Sequence, residues 1–269
     1  MNEQRGLSHN GLASFAVSVI CSLILLSCGG GGGDSSEPPV TPEPPVAPEE
    51  KAEGAYEGTS STGYYFNTLV LENDEFYTLY GIQSGDVFGV LGFVHGNGSS
   101  SNGVLTAPNV KDFSWDDYSG VSGSLTAAFT PNVSFNGTLV EGATTITLSG
   151  TAIDNSIYAY DTAATLSHLT GAWYLTGLQG DELTMNVASD GSFTAITEGC
   201  SISGTFAPRA SGKNVFNFSM TFGGSPCIFP NQSATGIAIE YTLVTGMRQL
   251  LIAGTNSSQT AGSAFFGTR

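Results

Sequence analysis

The sequence predicts an all-β protein in which two small antiparallel modules follow a tether. In several short segments apolar and polar residues alternate with a period of two, the pattern of a half-buried strand. Residues 215–222 are the clearest case: phenylalanine and methionine lie on one face, and asparagine, serine and threonine on the other. Turn-forming dipeptides separate these segments, and no long stretch joins a 3.6-residue period to helix caps.

The strand and turn signals recur through most of the chain. Residues 124–129, 145–149 and 237–243 alternate in the same way. Asn102-Gly103 and Asn136-Gly137 are dipeptides typical of two-residue hairpin turns, and the second is predicted to be the clearest hairpin of the chain. Helical potential is confined to residues 162–169, which are expected to form a short connector.

The first 27 residues have the organisation of a secretory signal peptide. Arg5 supplies the positive charge, and a mostly apolar stretch extends from Leu12 to Leu26. That stretch is shorter than the roughly 20 apolar residues that cross a bilayer as a helix. It ends in Leu25-Leu26-Ser27-Cys28, and an ordinary secretory signal that happens to contain a cysteine is the alternative.

The Leu-Leu-Ser-Cys sequence resembles the lipobox of bacterial lipoproteins. This resemblance implies cleavage before Cys28, which would carry a thioether-linked diacylglycerol and an amide-linked acyl chain such as palmitate. Two or more acyl chains anchor a protein to a membrane stably. Gly29 stands where aspartate would signal retention at the inner membrane, so the resemblance implies a lipid-anchored outer-membrane protein. Whether it faces the periplasm or the exterior stays open.

Composition divides the chain into five parts. These are a signal peptide (1–27), a lipidated Gly/Pro-rich tether (28–53), a first β module (54–161), a connector (162–170) and a second β module (171–269). Glycine-rich linkers are flexible and proline-rich ones are extended, and the tether has too little apolar surface to fold. We therefore expect it to be disordered and to hold the modules away from the membrane.

A weak internal repeat suggests that the two modules are copies of one unit. Gly54-Ala55-Tyr56 recurs as Gly171-Ala172-Trp173, and residues 148–151 resemble residues 252–255. Chance similarity between Gly/Thr-rich strands is the alternative. A module of about 100 residues accommodates seven or eight strands, either as an up-and-down barrel or as a two-sheet sandwich. Barrels are favoured because closure leaves no exposed strand edge.

Charge and cysteine content limit the classes of partner and the compartment. Only 11% of the residues are charged, and the net charge of −16 argues against nucleic acid as a partner. After removal of Cys21 and lipidation of Cys28, Cys200 and Cys227 remain. In an exported protein they are predicted to form one disulfide, and two buried free thiols are the alternative.

The sequence predicts no catalytic residues, no metal site and no cofactor. His95 and His168 lack metal-ligand neighbours at a recognisable spacing and are expected to be surface or turn residues. The most distinctive segment is 112–118, in which aromatic residues lie between carboxylates. Asp112, Trp115, Asp116 and Asp117 form a possible ligand loop there. The alternative is aromatic packing under a strand edge, with the acids in solvent.

The overall layout resembles a group of uncharacterised proteobacterial outer-membrane lipoproteins with a poly-Gly tether and two Gly/Ser/Thr-rich β modules. The matching pieces are Cys28-Gly29-Gly30, Gly54-Ala55-Tyr56, the module that contains Cys200 and Cys227, and Phe265-Phe266-Gly267-Thr268. A looser likeness, through residues 123–139, is to surface lipoproteins with small eight-stranded barrels. These resemblances imply a fold and an anchor but no activity.

Three functions are compatible with these features. The first is a membrane-anchored, non-enzymatic binding or interaction module at the cell envelope, with an unknown protein or glycan ligand. The second is an enzyme that acts on glycans through an unrecognised carboxylate site, for which Asp116 and Asp117 are the candidates. The third is a structural component of the envelope.

Overall fold

Residues 50–269 form two tandem eight-stranded antiparallel β-barrels, as described by a computed structural model. The prediction of an all-β protein is confirmed, and of the two architectures considered the favoured one, the closed barrel, is the one observed. Residues 1–49, which include the proposed signal peptide, Cys28 and most of the tether, lie outside the described residues. Within residues 50–269, no helix is both long enough and apolar enough to span a bilayer.

The first barrel is a ring of eight strands with one short additional strand. β1 pairs with β9, the pairing of β4 with β6 closes the ring, and the three-residue β5 pairs with β6. The strands are β1 (Gly54–Ser60), β2 (Tyr65–Val70), β3 (Glu75–Ser84), β4 (Val87–Asn97), β5 (Ser99–Ser101), β6 (Val104–Ser114), β7 (Val121–Thr130), β8 (Ser134–Glu141) and β9 (Thr144–Ala152).

The hairpin predicted at Asn136-Gly137 is wrong. Both residues lie within β8, where Asn136 pairs with Ala128 of β7. The turn comes earlier, at Asn132, whose φ of 55° supplies the left-handed conformation. The prediction at Asn102-Gly103 is correct: both residues have positive φ and connect β5 to β6.

The second barrel follows a simple up-and-down order. Consecutive strands pair, and β10 pairs with β17 to close the ring. Its strands are β10 (Gly171–Gly177), β11 (Glu182–Val187), β12 (Ser192–Thr197), β13 (Cys200–Pro208), β14 (Phe216–Phe222), β15 (Ser233–Thr242), β16 (Arg248–Thr255) and β17 (Gly262–Thr268). The predicted disulfide is confirmed, with Cys200 and Cys227 joined at an S–S distance of 2.04 Å.

The two barrels begin in the same way. Gly54 and Gly171 both have positive φ, and two residues later Tyr56 and Trp173 are fully buried. Each of these aromatic side chains donates a hydrogen bond to the carbonyl four residues earlier. The second sequence match, between residues 148–151 and 252–255, does not join equivalent strands. Residues 148–151 lie on β9, the eighth ring strand of the first barrel, and residues 252–255 lie on β16, the seventh strand of the second.

The segments that flank the first barrel are tied to the body. The predicted helical connector is only a short 3-10 turn, Leu166–His168. Ala52, in the stretch assigned to the tether, is fully buried, and its amide donates to Ser100 Oγ. Ser100 and Lys51 both donate to the carboxylate of Asp74, so the chain is already fixed to the barrel before β1 begins.

An apolar core joins the two barrels through their outer faces. The first barrel contributes Leu69, Leu79, Phe88, Val90, Phe93 and Phe113, and the second contributes Leu178, Val215, Ile237, Ile239, Leu251, Ala253 and Ala264. Polar contacts supplement this core: Arg209 binds both carboxylate oxygens of Glu72 at 2.9 and 3.0 Å. Each barrel also has its own interior cluster.

Candidate functional site

The interior of the first barrel contains a cavity of about 150 Å³. It is lined by Ser60, Thr62, Tyr64, Thr78, Tyr80, Val94, Asp112, Leu125, Leu139, Ile146 and Leu148. Most of the wall is apolar, and exposed Thr62 and Tyr64 show that the cavity opens to solvent. The interior of the second barrel is instead packed with large side chains, including Trp173, Phe206 and Phe216.

The open end of the first barrel, which we call the mouth, carries Tyr64, Tyr80, Asp112 and Glu141. These residues come from the turn after β1 and from the C-terminal parts of β3, β6 and β8. The Tyr80 hydroxyl donates to Asp112 Oδ1 at 2.8 Å. Closure of the ring between β4 and β6 places Asp112 opposite Val94, so both side chains face the cavity.

Gly92 makes room for the Tyr80 ring. The two residues are register partners at the point where a bulge interrupts the pairing of β3 with β4. A methyl group on Gly92 would overlap the tyrosine ring and approach the Phe113 carbonyl oxygen at 2.8 Å. Glycine at this position therefore lets Tyr80 lie across the mouth and reach Asp112.

The two carboxyl groups of the mouth are held partly out of water. Burial raises the pKa of Asp112 to about 7; the hydrogen bond from Tyr80 opposes this rise, and the neighbouring Glu141 adds to it. Burial also raises the pKa of Glu141, which shares a hydrogen bond with Asp112. Two acids in hydrogen-bond contact retain a proton between them near neutral pH, because both cannot ionise cheaply at such a distance.

The pair has no cationic neighbour and is incompletely hydrogen-bonded. Within residues 50–269, no ion pair links a lysine, arginine or histidine to Asp112 or Glu141. Oε1 of Glu141 is buried, and no N–H or hydroxyl group in this part of the chain donates a hydrogen bond to it. A buried oxygen that accepts no hydrogen bond lowers the stability of the folded protein, unless a group from outside the protein donates to it.

The predicted ligand loop is only partly associated with the cavity. Asp112 lines it, whereas Trp115 is 57% exposed outside the lining. Ser114 donates to Asp116 at 2.5 Å, and the amide and hydroxyl of Ser119 both donate to Asp117. The last two acids therefore stabilise the turn after β6.

Sequence reasoning did not identify Tyr64, Tyr80 or Glu141. Glu141 continues the inward-facing alternation of β8, in which Phe135 and Leu139 are buried. An acid at an inward-facing position at the end of a strand is the one local signal that could have pointed to it. No local signal brings it to Asp112, since that contact depends on closure of the ring.

The histidine prediction is wrong for His95. This residue lies within β4 and is 4% exposed, and its Nε2 is 3.2 Å from Glu75 Oε1. The Tyr77 ring packs against the imidazole in a tilted arrangement, with centroids 4.5 Å apart, and its hydroxyl donates to the same Glu75 oxygen. His168 is half exposed in the connector, as expected. Among the residues described, no group of histidine, cysteine and acidic side chains has the arrangement of a metal site.

The fold and cavity define a tandem β-barrel protein in which one barrel is packed and the other is partly hollow. No protein-family model matches the chain, and no curated protein matches it. Among solved structures, it is similar to a protein of unknown function from the DUF3598 family of Nostoc punctiforme. The two chains are 13% identical over 80% of this chain and 93% of the other, with a TM-score of 0.24.

Proposed function

We propose that this protein is a non-enzymatic binding module of the bacterial cell envelope and that its first barrel holds a small, largely apolar molecule. The observation that carries the proposal is the cavity, whose walls are mainly apolar; its polar groups are concentrated at the mouth, and the buried Thr78 hydroxyl in its wall is already hydrogen-bonded to Thr68. Ligand sites in proteins typically combine a mainly apolar, concave surface with a few polar groups that orient the ligand.

The size of the cavity limits the ligand. Its volume of about 150 Å³ is comparable to that of engineered apolar cavities that accept benzene. We therefore expect a single ring or a short alkyl chain to enter, and the long acyl chain of a fatty acid to be excluded. A larger molecule would have to leave much of its surface outside the mouth.

Attachment to the outer membrane through Cys28 completes the proposal. Its support is the lipobox resemblance and Gly29, both in the segment before the described residues. Metabolic labelling with an alkyne-modified palmitate is expected to mark the protein and to fail in Cys28→Ser. Labelling that persists in the variant would contradict lipidation at this cysteine.

The alternative of a glycan-cleaving enzyme has weaker support. Glycosidases place two carboxyl groups at least about 5 Å apart, on opposite sides of the sugar bond. Asp112 and Glu141 are instead in direct hydrogen-bond contact. Asp116 and Asp117 accept hydrogen bonds from nearby serines within their own turn.

A cavity-filling variant tests the binding proposal. Val94 lines the cavity and is 4% exposed, so Val94→Phe adds an aromatic ring to the space that the ligand would occupy. Val133→Phe makes the same change at a 58% exposed position and serves as the control. Toluene and related probes are titrated into the protein by NMR.

We expect toluene to shift signals from the first barrel in the wild type and in Val133→Phe, and to have no effect on Val94→Phe. Circular dichroism establishes that each variant is folded. Failure of every apolar probe to bind the wild type, or equal binding to Val94→Phe, would refute the proposed site.

A further inference from the structure

The groups that face Asp112 are acidic or neutral on every side. Tyr80 approaches from β3 and Glu141 from β8, and Asp116 adds negative charge from the turn after β6. Lys111, the preceding residue, is directed elsewhere and donates to the exposed Ser122 hydroxyl. The mouth is therefore a region of negative potential, which disfavours an anionic ligand.

The carboxyl pair lacks the positive partner that partly buried carboxylates usually have. Buried charges in proteins are paired with an opposite charge or neutralised by a proton. Here a proton shared by Asp112 and Glu141 performs that role, and no N–H or hydroxyl group of the described residues donates to Glu141 Oε1. A ligand that brings both a positive charge and N–H donors would satisfy both requirements.

The aromatic side chains of the mouth favour the same kind of ligand. Tyr64 and Tyr80 are stacked, with their ring centroids 6.0 Å apart, and both line the cavity. The face of a tyrosine ring attracts a cation within about 6 Å of its centre. An ammonium group beside Asp112 would thus meet a carboxylate on one side and an aromatic wall on another.

We propose that the first barrel binds a protonated primary amine with a short apolar tail, the ammonium group resting on Asp112 and Glu141 and the tail filling the cavity. This inference rests on the proposed function and specifies its ligand. A primary ammonium offers three N–H donors, enough to engage both carboxylates.

Binding of such a ligand releases a proton. In the free protein the two carboxyl groups hold one proton between them; in the complex the ammonium charge replaces it, and the proton passes to solvent. The pKa of Asp112 is about 7 in the free protein. At lower pH the proton must be removed before the amine can bind, which weakens binding, whereas at higher pH the site is already deprotonated. Affinity for the amine is therefore expected to rise with pH through neutrality.

Calorimetry with a matched pair of probes tests the inference on the full mature chain. The probes are 2-phenylethylamine, which stays protonated at both pH 5.5 and pH 8, and 2-phenylethanol, its neutral counterpart. Titrations in buffers with different ionisation enthalpies count the protons released. We expect the amine to bind about 30-fold tighter at pH 8 than at pH 5.5, and to release close to one proton at pH 5.5 and almost none at pH 8. The alcohol is expected to change less than about twofold, since its binding displaces no proton.

Asp112→Asn and Glu141→Gln each replace one carboxyl group of the mouth by an amide of similar shape, so the remaining carboxylate has no proton to share. Each is expected to abolish the rise in amine affinity between pH 5.5 and pH 8, and the double variant is expected to lose the preference for the amine as well; circular dichroism establishes that each variant is folded. Equal binding of amine and alcohol at both pH values, without proton release, would overturn the amine inference and leave the binding proposal intact. Failure of both probes and of toluene to bind the wild type would instead refute the proposed function itself.

Discussion

The Gln249 side chain of the second barrel hydrogen-bonds to the backbone of the first, and its replacement by leucine tests how much this polar contact, which we call the Gln249 joint, stabilises the protein. This side chain, on β16, is fully buried. The amide accepts from the Phe88 N–H at 3.0 Å and donates to the Phe88 carbonyl at 2.6 Å. It therefore binds the backbone of β4 as a neighbouring strand would, at a point where β4 pairs only with β3.

The expected cost follows from these two bonds and from a third, in which the Tyr241 hydroxyl donates to the same Gln249 oxygen at 2.9 Å. Leucine is close to glutamine in size, but it offers neither a donor nor an acceptor, so both Phe88 backbone groups and the Tyr241 hydroxyl lose a partner inside an apolar interface. Each unsatisfied buried group costs about 1–3 kcal/mol, part of which is regained because the glutamine amide no longer needs to be buried. We expect Gln249→Leu to lower the free energy of unfolding by about 3 kcal/mol.

Urea unfolding followed by tryptophan fluorescence measures this loss. Trp173 lies in the second barrel, and Trp115, on the turn after β6, reports on the first. Gln83→Leu, at an exposed site where the glutamine side chain donates to the nearby Gly85 carbonyl, is the control and is expected to change stability by less than about 0.5 kcal/mol. If Gln249→Leu is no more destabilising than Gln83→Leu, the proposed joint does not couple the barrels.

Three further predictions concern the disulfide and the mouth. Replacement of Cys200 and Cys227 by alanine removes a cross-link over a sequence separation of 27 and is expected to cost about 3.5 kcal/mol in urea unfolding. Gly92→Ala displaces the Tyr80 ring and is expected to cost about 1–3 kcal/mol, whereas Gly224→Ala, in open space, is the neutral control. Because folding raises the pKa of Asp112 from 3.8 to about 7, its contribution to the free energy of unfolding falls as pH rises between those values. The stability difference between wild type and Asp112→Asn is expected to follow that fall.

Each of these predictions has a result that contradicts it. Equal stability of the variant with alanine at positions 200 and 227 and of the oxidised wild type would show that the cross-link does not constrain the unfolded chain. An unperturbed Gly92→Ala variant would mean that Tyr80 has another position available. A pH-independent difference between wild type and Asp112→Asn would show that the folded protein does not retain the proton on this carboxyl group.

The strands were predictable because their signal is local, whereas one turn was misplaced because tertiary pairing overrode a local preference. Alternation in residues 215–222 directly reports the buried face of β14. Asn136-Gly137 is a strong turn dipeptide, yet Gly137 faces the barrel interior, where a side chain would press on Leu125 and Leu148 at 3.3 Å. Glycine there serves packing, and Asn132 takes the turn instead.

The site was only partly predictable for a related reason. Asp112 was singled out because acids and aromatic residues are concentrated around it, and that concentration mostly marks a turn held by Asp116 and Asp117. The mouth itself depends on strands that are distant in sequence. Tyr80 and Glu141 meet Asp112 only after β4 pairs with β6 and the ring closes.

A packed barrel beside a hollow one affects how the protein can change over evolutionary time. The residues that bind the barrels together, such as Phe93 and Phe113, point away from the cavity, while Thr78, Val94 and Leu139 point into it. Substitutions on the cavity wall therefore leave the interface between barrels untouched. Under the proposed binding function, substitutions of these wall residues would change which ligand fits while the architecture persists.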